Sequence, residues 1–317
     1  MINTDNNYST STPDSTSEAS QPRLLPLSAL LAEFDDAARA GYEAKQAGRL
    51  LGPSTGFPNI DREIGGSLQP GLHIAHGVPG VGKSAFALQI AATCGCPSLF
   101  VTCEMTPLEL LRRITARVTK TYLGKFKNYD VTPADAMDKV RAAIRETPNL
   151  TLLDATNTPT TRKHIENAAD TIQQNADGQH LLIVVDSLHS WVDGWGSEGS
   201  EYDRLNAGLT SLRQMAASLK CPILAIAERN RQSMRGGGMS AGAGTRKIEY
   251  GSETVFDLSW TKDGKNSDEP AEAPPVDGNG EVPLVVTLSK NRHGTPGKSV
   301  PLRFHGGFQR YAEETPR

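Results

Sequence analysis

Apolar residues in this chain fall into short blocks separated by longer stretches of helical period. Residues 72–76, 98–103, 149–153, 181–186 and 221–227 are compact, mostly apolar runs. Such runs are too short for core helices and read as buried strands. Between them the apolar positions recur every three or four residues, which predicts helices at 83–94, 106–120, 133–146, 161–175 and 201–219. Strand alternating with helix predicts an α/β fold, a mostly parallel sheet flanked by helices on both faces.

The pattern changes toward both ends. "TVFDLSW", "VPLVVTLSK" and "SVPLRFHGGFQRY" read as hairpin-type strands added as an antiparallel C-terminal edge. Residues 262–281, acidic and rich in Pro and Gly, read as an exposed loop between two of them. Residues 1–22 are dominated by Ser, Thr, Asn and Asp and are expected to form a disordered tail. In 23–50, Leu27, Leu30, Leu31, Phe34, Ala38 and Tyr42 recur at helical spacing, with Ser28 placed to cap the start. This amphipathic linker helix either packs on its own core or docks on a neighbouring subunit. The main domain is then 51–313.

Composition narrows the functional classes. The 317 residues carry a net charge of −3, so nucleic-acid binding would need a local basic patch. The four cysteines, Cys94, Cys96, Cys103 and Cys221, lack the second pair that zinc spacing requires and read as small buried thiols. No apolar run reaches the ~20 residues of a membrane helix, and the N-terminus has no signal-peptide pattern. A cytoplasmic protein without a membrane partner is expected.

Candidate chemistry begins at "HGVPGVGKSAF". Gly77, Val78, Pro79, Gly80, Val81, Gly82, Lys83 and Ser84 fit G-x-x-x-x-G-K-[ST], and Ala85 continues into a helix. A strand precedes the loop, so the context that a phosphate-binding P-loop requires is present. Backbone N–H groups at the helix start face the anion. Lys83 is placed for the β- and γ-phosphates of ATP and Ser84 for Mg²⁺. In "LLIVVDSLHSW" an apolar strand delivers Asp186 to the same sheet edge, as the second Mg²⁺ contact. Glu104 closes "SLFVTCEM" beside it. By spacing alone it fits a water-activating base or the start of the next helix. His73 and His76 on the P-loop strand read as packing residues. Trp191 and Trp195 flank a Gly-rich turn and receive no role.

Together these segments resemble the ATPase domain of hexameric replicative DNA helicases of the DnaB type, within the RecA-like P-loop NTPases. The resemblance runs from about Ser54 to Tyr311. "STGFPNIDREIGGSLQPGLHIAHGVPGVGKSAFALQIA" resembles the family's approach to its P-loop. "CEMTPLELLRR" matches its Glu-Met segment, which makes Glu104 the catalytic base, and "IVVDSLHSW" matches its magnesium-Asp segment. "LSKNRHGTPGKSVPLRFHGGFQRY" resembles its Lys-x-Arg-x-Gly segment. The resemblance implies that Lys290 and Arg292 reach the ATP of an adjacent subunit, where an arginine supplied in trans is worth ~10³–10⁵ in rate. From the residues alone the favoured reading is two basic residues in a polar hairpin turn, "KNRHGTPG".

Two departures stand out. The family's γ-phosphate sensor is a Gln where this chain has Glu228, whose charge would repel the phosphate unless protonated or paired, with Arg229 or Arg231 as partner. The family's N-terminal domain has no counterpart, which leads to the expectation of a stand-alone motor domain, or one whose accessory domain is a separate protein.

The segment 229–248 carries Arg229, Arg231, Arg235, Arg246 and Lys247, five glycines and no acidic residue. It can track a phosphate backbone without reading sequence, and the family places its DNA-contacting loops there. A solvated basic loop is the plain alternative. The expected protein is an ATP- and Mg²⁺-dependent motor, a homo-hexamer moving on single-stranded DNA, with a loader or primase as further partners. Two alternatives stay open: a RecA-, RadA- or KaiC-like ATPase in recombination or regulation, and a plasmid or phage replication accessory ATPase without unwinding activity.

Overall fold

The computed structural model describes residues 24–49, 51–176, 180–196, 199–228, 251–262, 265–266 and 275–314. The chain divides into two compact units, residues 1–48 and 49–317. In the first, a 3₁₀ turn at Leu27–Leu30 runs into helix α1, Leu31–Gln46. Ser28 does not cap it: the residue before the turn is Pro26, and no side chain bonds to either helix start. Leu27, Leu31, Phe34 and Tyr42 are exposed.

The second unit is built on one sheet. Its strands are β1 (Gly71–Gly77), β2 (Ser98–Thr102), β3 (Leu150–Asp154), β4 (Leu182–Asp186), β5 (Pro222–Glu228), β6 (Thr254–Lys262), β7 (Lys265–Asn266), β8 (Val282–Asn291), β9 (Ser299–His305) and β10 (Arg310–Glu313). They lie in the order β10-β9-β8-β6-β1-β5-β4-β2-β3, with β7 paired to β6. The neighbours from β6 through β1, β5, β4 and β2 to β3 pair in parallel, and β8 to β10 continue the sheet antiparallel.

The helices of this unit are α2 (Pro58–Glu63), α3 (Lys83–Thr93), α4 (Pro107–Thr119), α5 (Leu123–Lys127), α6 (Pro133–Glu146), α7 (Arg162–Gln174), α8 (Leu188–Asp193) and α9 (Glu201–Leu219). Their starts follow local chemistry. Thr106 and Thr132 cap α4 and α6 with Pro at the first turn, and Thr161 and Ser200 form capping boxes on α7 and α9. Alternate residues of each central strand feed opposite cores. Leu182, Val184, Leu224 and Ile226 pack with α2, α3 and α4, while Ile183, Val185, Ile223 and Ala225 pack with α7, α8 and α9. Because both faces are covered, β2 and β4 are buried at every position.

Two sequence expectations are corrected. "TVFDLSW" is not a strand at the edge: β6 lies inside the sheet, parallel to β1 on one side through His73↔Thr254 to Gly77↔Leu258 and antiparallel to β8 on the other. The stretch 262–281 is not wholly a loop, since Lys265–Asn266 folds back as β7 onto the end of β6.

Candidate functional site

All parallel strands end at the same sheet edge, and the candidate chemistry collects there. β1 stops at Gly77 and α3 begins at Lys83, so the P-loop joins the central strand to a buried helix. Lys83 Nζ donates to the carbonyls of Gly77 (3.1 Å) and Val78 (3.3 Å), drawing its ammonium across the mouth of the loop. Burial lowers its pKa, against the opposing attraction of Glu228, Asp186 and Glu104.

Asp186 ends β4 directly opposite Thr102, the end of β2. Its carboxyl is buried, and burial pushes its pKa up to about 7; Ser84 lowers it, nearby Glu104 raises it, and Lys83 and Arg113 lower it. Asp186 Oδ2 is buried with no hydrogen-bond partner among the described residues. A buried acid oxygen without a donor, next to a serine hydroxyl and a lysine, suits a hard divalent cation bound through oxygen. The donor set therefore fits magnesium.

Glu104 lies two residues beyond β2, in the connection to α4. Its Oε1 accepts hydrogen bonds from Ser187 Oγ (2.5 Å) and Ser190 Oγ (2.7 Å), both contributed by the turn into α8. Ser187 also caps α8. The carboxylate is thus fixed beside Asp186 by hydroxyls from the strand-end turn that carries Asp186.

These groups line a cleft of about 360 Å³ together with Pro79, Gly80, Gly82 and Ala85. Glu228 lies on its wall, at the exposed end of β5, and its backbone N–H donates to His189 Nδ1 (3.4 Å). Among the cleft residues that sequence reasoning missed are Ser187, already described, Arg113 and Gln309. Arg113, on α4, donates through Nε to Glu109 (3.2 Å) and through Nη1 to the side chain of Gln309. Gln309 reaches the cleft because the turn before β10 puts it in the left-handed region, φ 52°. The one local signal for Arg113 lies in "LLRRI", where it is the second arginine and follows Glu109 at i+4.

Lys290 and Arg292 are elsewhere. Lys290 pairs with Val255 and Asn291 with Thr254, at the start of β6, and β6 starts beside His73 near the start of β1. Arg292 is therefore separated from its own P-loop by most of a seven-residue strand, roughly 20 Å at ~3.3 Å per residue. Its Nη1 pairs with Glu253 Oε1 (3.1 Å), and His293 Nε2 with Glu253 Oε2 (3.1 Å). Asn291 Nδ2 donates to Glu63 O (2.7 Å), which ties this turn to α2.

The remaining residues behave structurally. His73 is buried, its Nε2 2.8 Å from Gln69 O, and burial lowers its pKa to about 4. His76 Nδ1 lies 3.6 Å from Asp257 Oδ1. Trp191 is buried and donates to Thr160 O (2.7 Å), with Trp195 edge-on at 4.7 Å. The four cysteines are free, and no cluster of three or more His, Cys, Asp or Glu suits a metal among the described residues. Likewise no helix among them is long and apolar enough to cross a membrane. Arg229, Arg231, Arg235, Arg246 and Lys247 lie outside the described residues.

A strand–loop–helix phosphate cradle, with an aspartate ending one parallel strand, a glutamate just beyond its neighbour and an antiparallel border, defines a RecA-like P-loop NTPase fold. Residues 52–313 match the DnaB-like helicase C-terminal domain family, and the chain belongs to it. It is 24% identical over 280 residues to the replicative DNA helicase DnaB of Haemophilus influenzae, covering 83% of this chain and 55% of that protein. To DnaB of Treponema pallidum it is 25% identical over 285 residues, covering 84% and 57%. The chain thus spans about half the length of these relatives. Among solved structures, an ATPase domain aligns with a TM-score of 0.71 at 19% identity, covering 89% of this chain and 99% of the other. A DnaB-like replicative helicase, described with its interactions with primase, aligns at 0.68 and 20% identity, covering 89% and 67%.

Proposed function

We propose that this chain is an ATP-driven motor that assembles as a hexameric ring, hydrolyses ATP between its subunits, and moves on single-stranded DNA to unwind duplex. The observation that carries the proposal is the separation just described. The cleft holding Lys83, Ser84, Asp186 and Glu104 lies at one sheet edge, while Lys290 and Arg292 lie at the other. One copy cannot apply both sets to one nucleotide; two copies can.

In this reading the P-loop from Gly77 to Ala85 wraps the phosphate chain with backbone N–H groups, and Lys83 faces the β- and γ-phosphates. Ser84 and Asp186 hold Mg²⁺, which when bound neutralises charge on the transferring phosphoryl group. Glu104, oriented by Ser187 and Ser190, takes the proton from the attacking water. Arg292, with Lys290, reaches a neighbour's γ-phosphate and stabilises the charge spread over its oxygens as the bond breaks. Glu228 faces the phosphate end of the cleft, and its charge would slow turnover unless a nearby cation balances it. The cations of 229–247, with no acidic residue among them, are the candidate grip on the DNA backbone.

Subunit mixing tests this. Lys83→Ala and Arg292→Ala proteins should each show little DNA-stimulated ATP hydrolysis. Mixed before assembly, they should regain a measurable part of it, because some interfaces pair an intact P-loop with an intact arginine. Failure of the mixture to recover, with both variants assembled, would refute the shared site. Open filaments in particle images, instead of closed rings, would favour the recombination-type alternative.

A further inference from the structure

The P-loop is gripped from outside by the last strand of the sheet. Tyr311, on β10, is 2% exposed, and its hydroxyl donates to Val81 O at 2.7 Å, inside the phosphate-binding loop. Gln89, two turns along α3, closes on the same residue from the other side. Its Nε2 donates to Tyr311 O (3.0 Å), and its Oε1 accepts from Tyr311 N–H (2.9 Å). The Tyr311 ring stacks on Phe304 (4.5 Å between centroids) and meets Phe86 and Phe57 edge-on. Gly82 is fitted against this ring: its φ is +90°, and a Cβ there would lie 2.4 Å from the Tyr311 hydroxyl.

A loop that turns its N–H groups inward to an anion must turn carbonyls outward. An outward carbonyl buried without a donor is costly, and its peptide is then free to rotate the adjacent N–H away from the phosphate. The Tyr311 hydroxyl supplies that donor at Val81, next to the N–H groups of Gly82 and Lys83. Just before the same strand, Gln309 receives Arg113 Nη1 in the same cleft.

We propose that Tyr311 is a positioning residue of the nucleotide site: its hydroxyl holds the Val81 peptide so that the loop is set for a di- or triphosphate before the nucleotide arrives. The inference rests on the P-loop binding a nucleotide, as proposed above, and not on the ring, the DNA or the reaction in trans.

Tyr311→Phe removes the hydroxyl and keeps the ring packing. Titration of wild type and variant with a fluorescent ATP and a fluorescent ADP, beside thermal unfolding and steady-state kinetics, is the test. The expected result is a five- to tenfold loss of affinity for both nucleotides and a matching rise in KM, with kcat within about twofold. A purely structural role would lower the unfolding temperature and leave the Kd of the folded protein unchanged. Gln89→Met, which frees the Tyr311 backbone without touching its ring, should raise KM in the same direction, and it carries the test if Tyr311→Phe does not fold. Unchanged affinity in the folded variants overturns the inference. Absence of nucleotide binding in wild type instead overturns the reading of the P-loop itself.

Discussion

Glu104 and Ser190 are joined by a 2.7 Å hydrogen bond between the connection that leaves one strand and the first helix after the neighbouring strand. The carboxylate oxygen involved also accepts from Ser187 at 2.5 Å. Two hydroxyls thus set the orientation of this carboxylate, the base of the proposed mechanism, before substrate binds. Glu104→Gln keeps the shape and removes the ability to take a proton, so kcat should fall by about 10²–10⁴. The affinity for ATP should stay within a few-fold of wild type. Ser190→Ala leaves Ser187 in place and should lower kcat by about three- to tenfold, the range of one lost hydrogen bond. Rapid-quench hydrolysis beside nucleotide titration separates the two effects. A Glu104→Gln protein with near-normal turnover would remove Glu104 from the chemistry.

Gly294 gives a way to disturb the far turn without touching the nucleotide cleft. A Cβ at this position would lie 2.2 Å from Glu63 O and 2.7 Å from Asn291 Nδ2. The carbonyl it would strike is the one that accepts from Asn291 Nδ2 and so ties the turn to α2. Gly294→Ala must therefore push the turn carrying Arg292 away from α2, and overpacking of this kind costs about 1–3 kcal/mol. The expected protein is folded, binds ATP within about twofold of wild type, and loses most of its turnover in assembled form. Normal turnover would detach the turn from catalysis.

His73 predicts an acid-sensitive core. Its Nε2 faces Gln69 O and so carries the proton, while Nδ1 is buried without a partner among the described residues. A second proton has no acceptor, and burial lowers the pKa from 6.5 to about 4. The folded state holds the neutral ring, whereas the unfolded chain takes up a proton below pH 6.5. This contribution is therefore full above pH 6.5 and is lost as pH falls toward 4. A shift of this size corresponds to about 3 kcal/mol at its limit. Denaturant unfolding of wild type and His73→Gln at pH 7.5 and 4.5 checks it: wild type should lose more stability over that interval than the variant. Equal losses would show that His73 is not the group responsible.

How far the sequence could be read depended on how local each signal was. The central strands were legible because a strand covered on both faces must be apolar at nearly every position, as β4 is. The P-loop and Asp186 were legible because their chemistry sits at fixed spacing after such strands. β6 was misplaced because its pattern fits an edge or an interior strand equally. Its true neighbour, β1, lies about 180 residues earlier, and no local rule encodes that pairing. Short helices such as α2, α5 and α8 offer too few residues to show a period. Tyr311 and Gln309 look like ordinary residues of a terminal strand, and their roles arise only from folding that strand back over the loop at residues 77–84.

Arg113 was hidden for a similar reason, as one of two adjacent arginines on an amphipathic helix. Its side chain is 22% exposed and lies between Glu109 and Gln309 on the wall of the cleft. Its positive charge reaches Asp186, whose pKa it helps to hold down. Removing it takes a fixed cation from a site that must receive a polyanion, while Glu109 keeps Lys127 at 3.0 Å and is not left unpaired. Arg113→Ala should therefore weaken ATP and ADP binding by about tenfold, the size of one charge-assisted contact. The unfolding temperature should change little. Arg113→Lys should recover only part of the affinity, because an ammonium restores charge but not the planar fork that meets Gln309 and Glu109 together. Calorimetric titration with ADP reads this without any turnover. Full recovery by lysine would show that charge alone matters, and wild-type affinity in Arg113→Ala would place the arginine outside the nucleotide's reach.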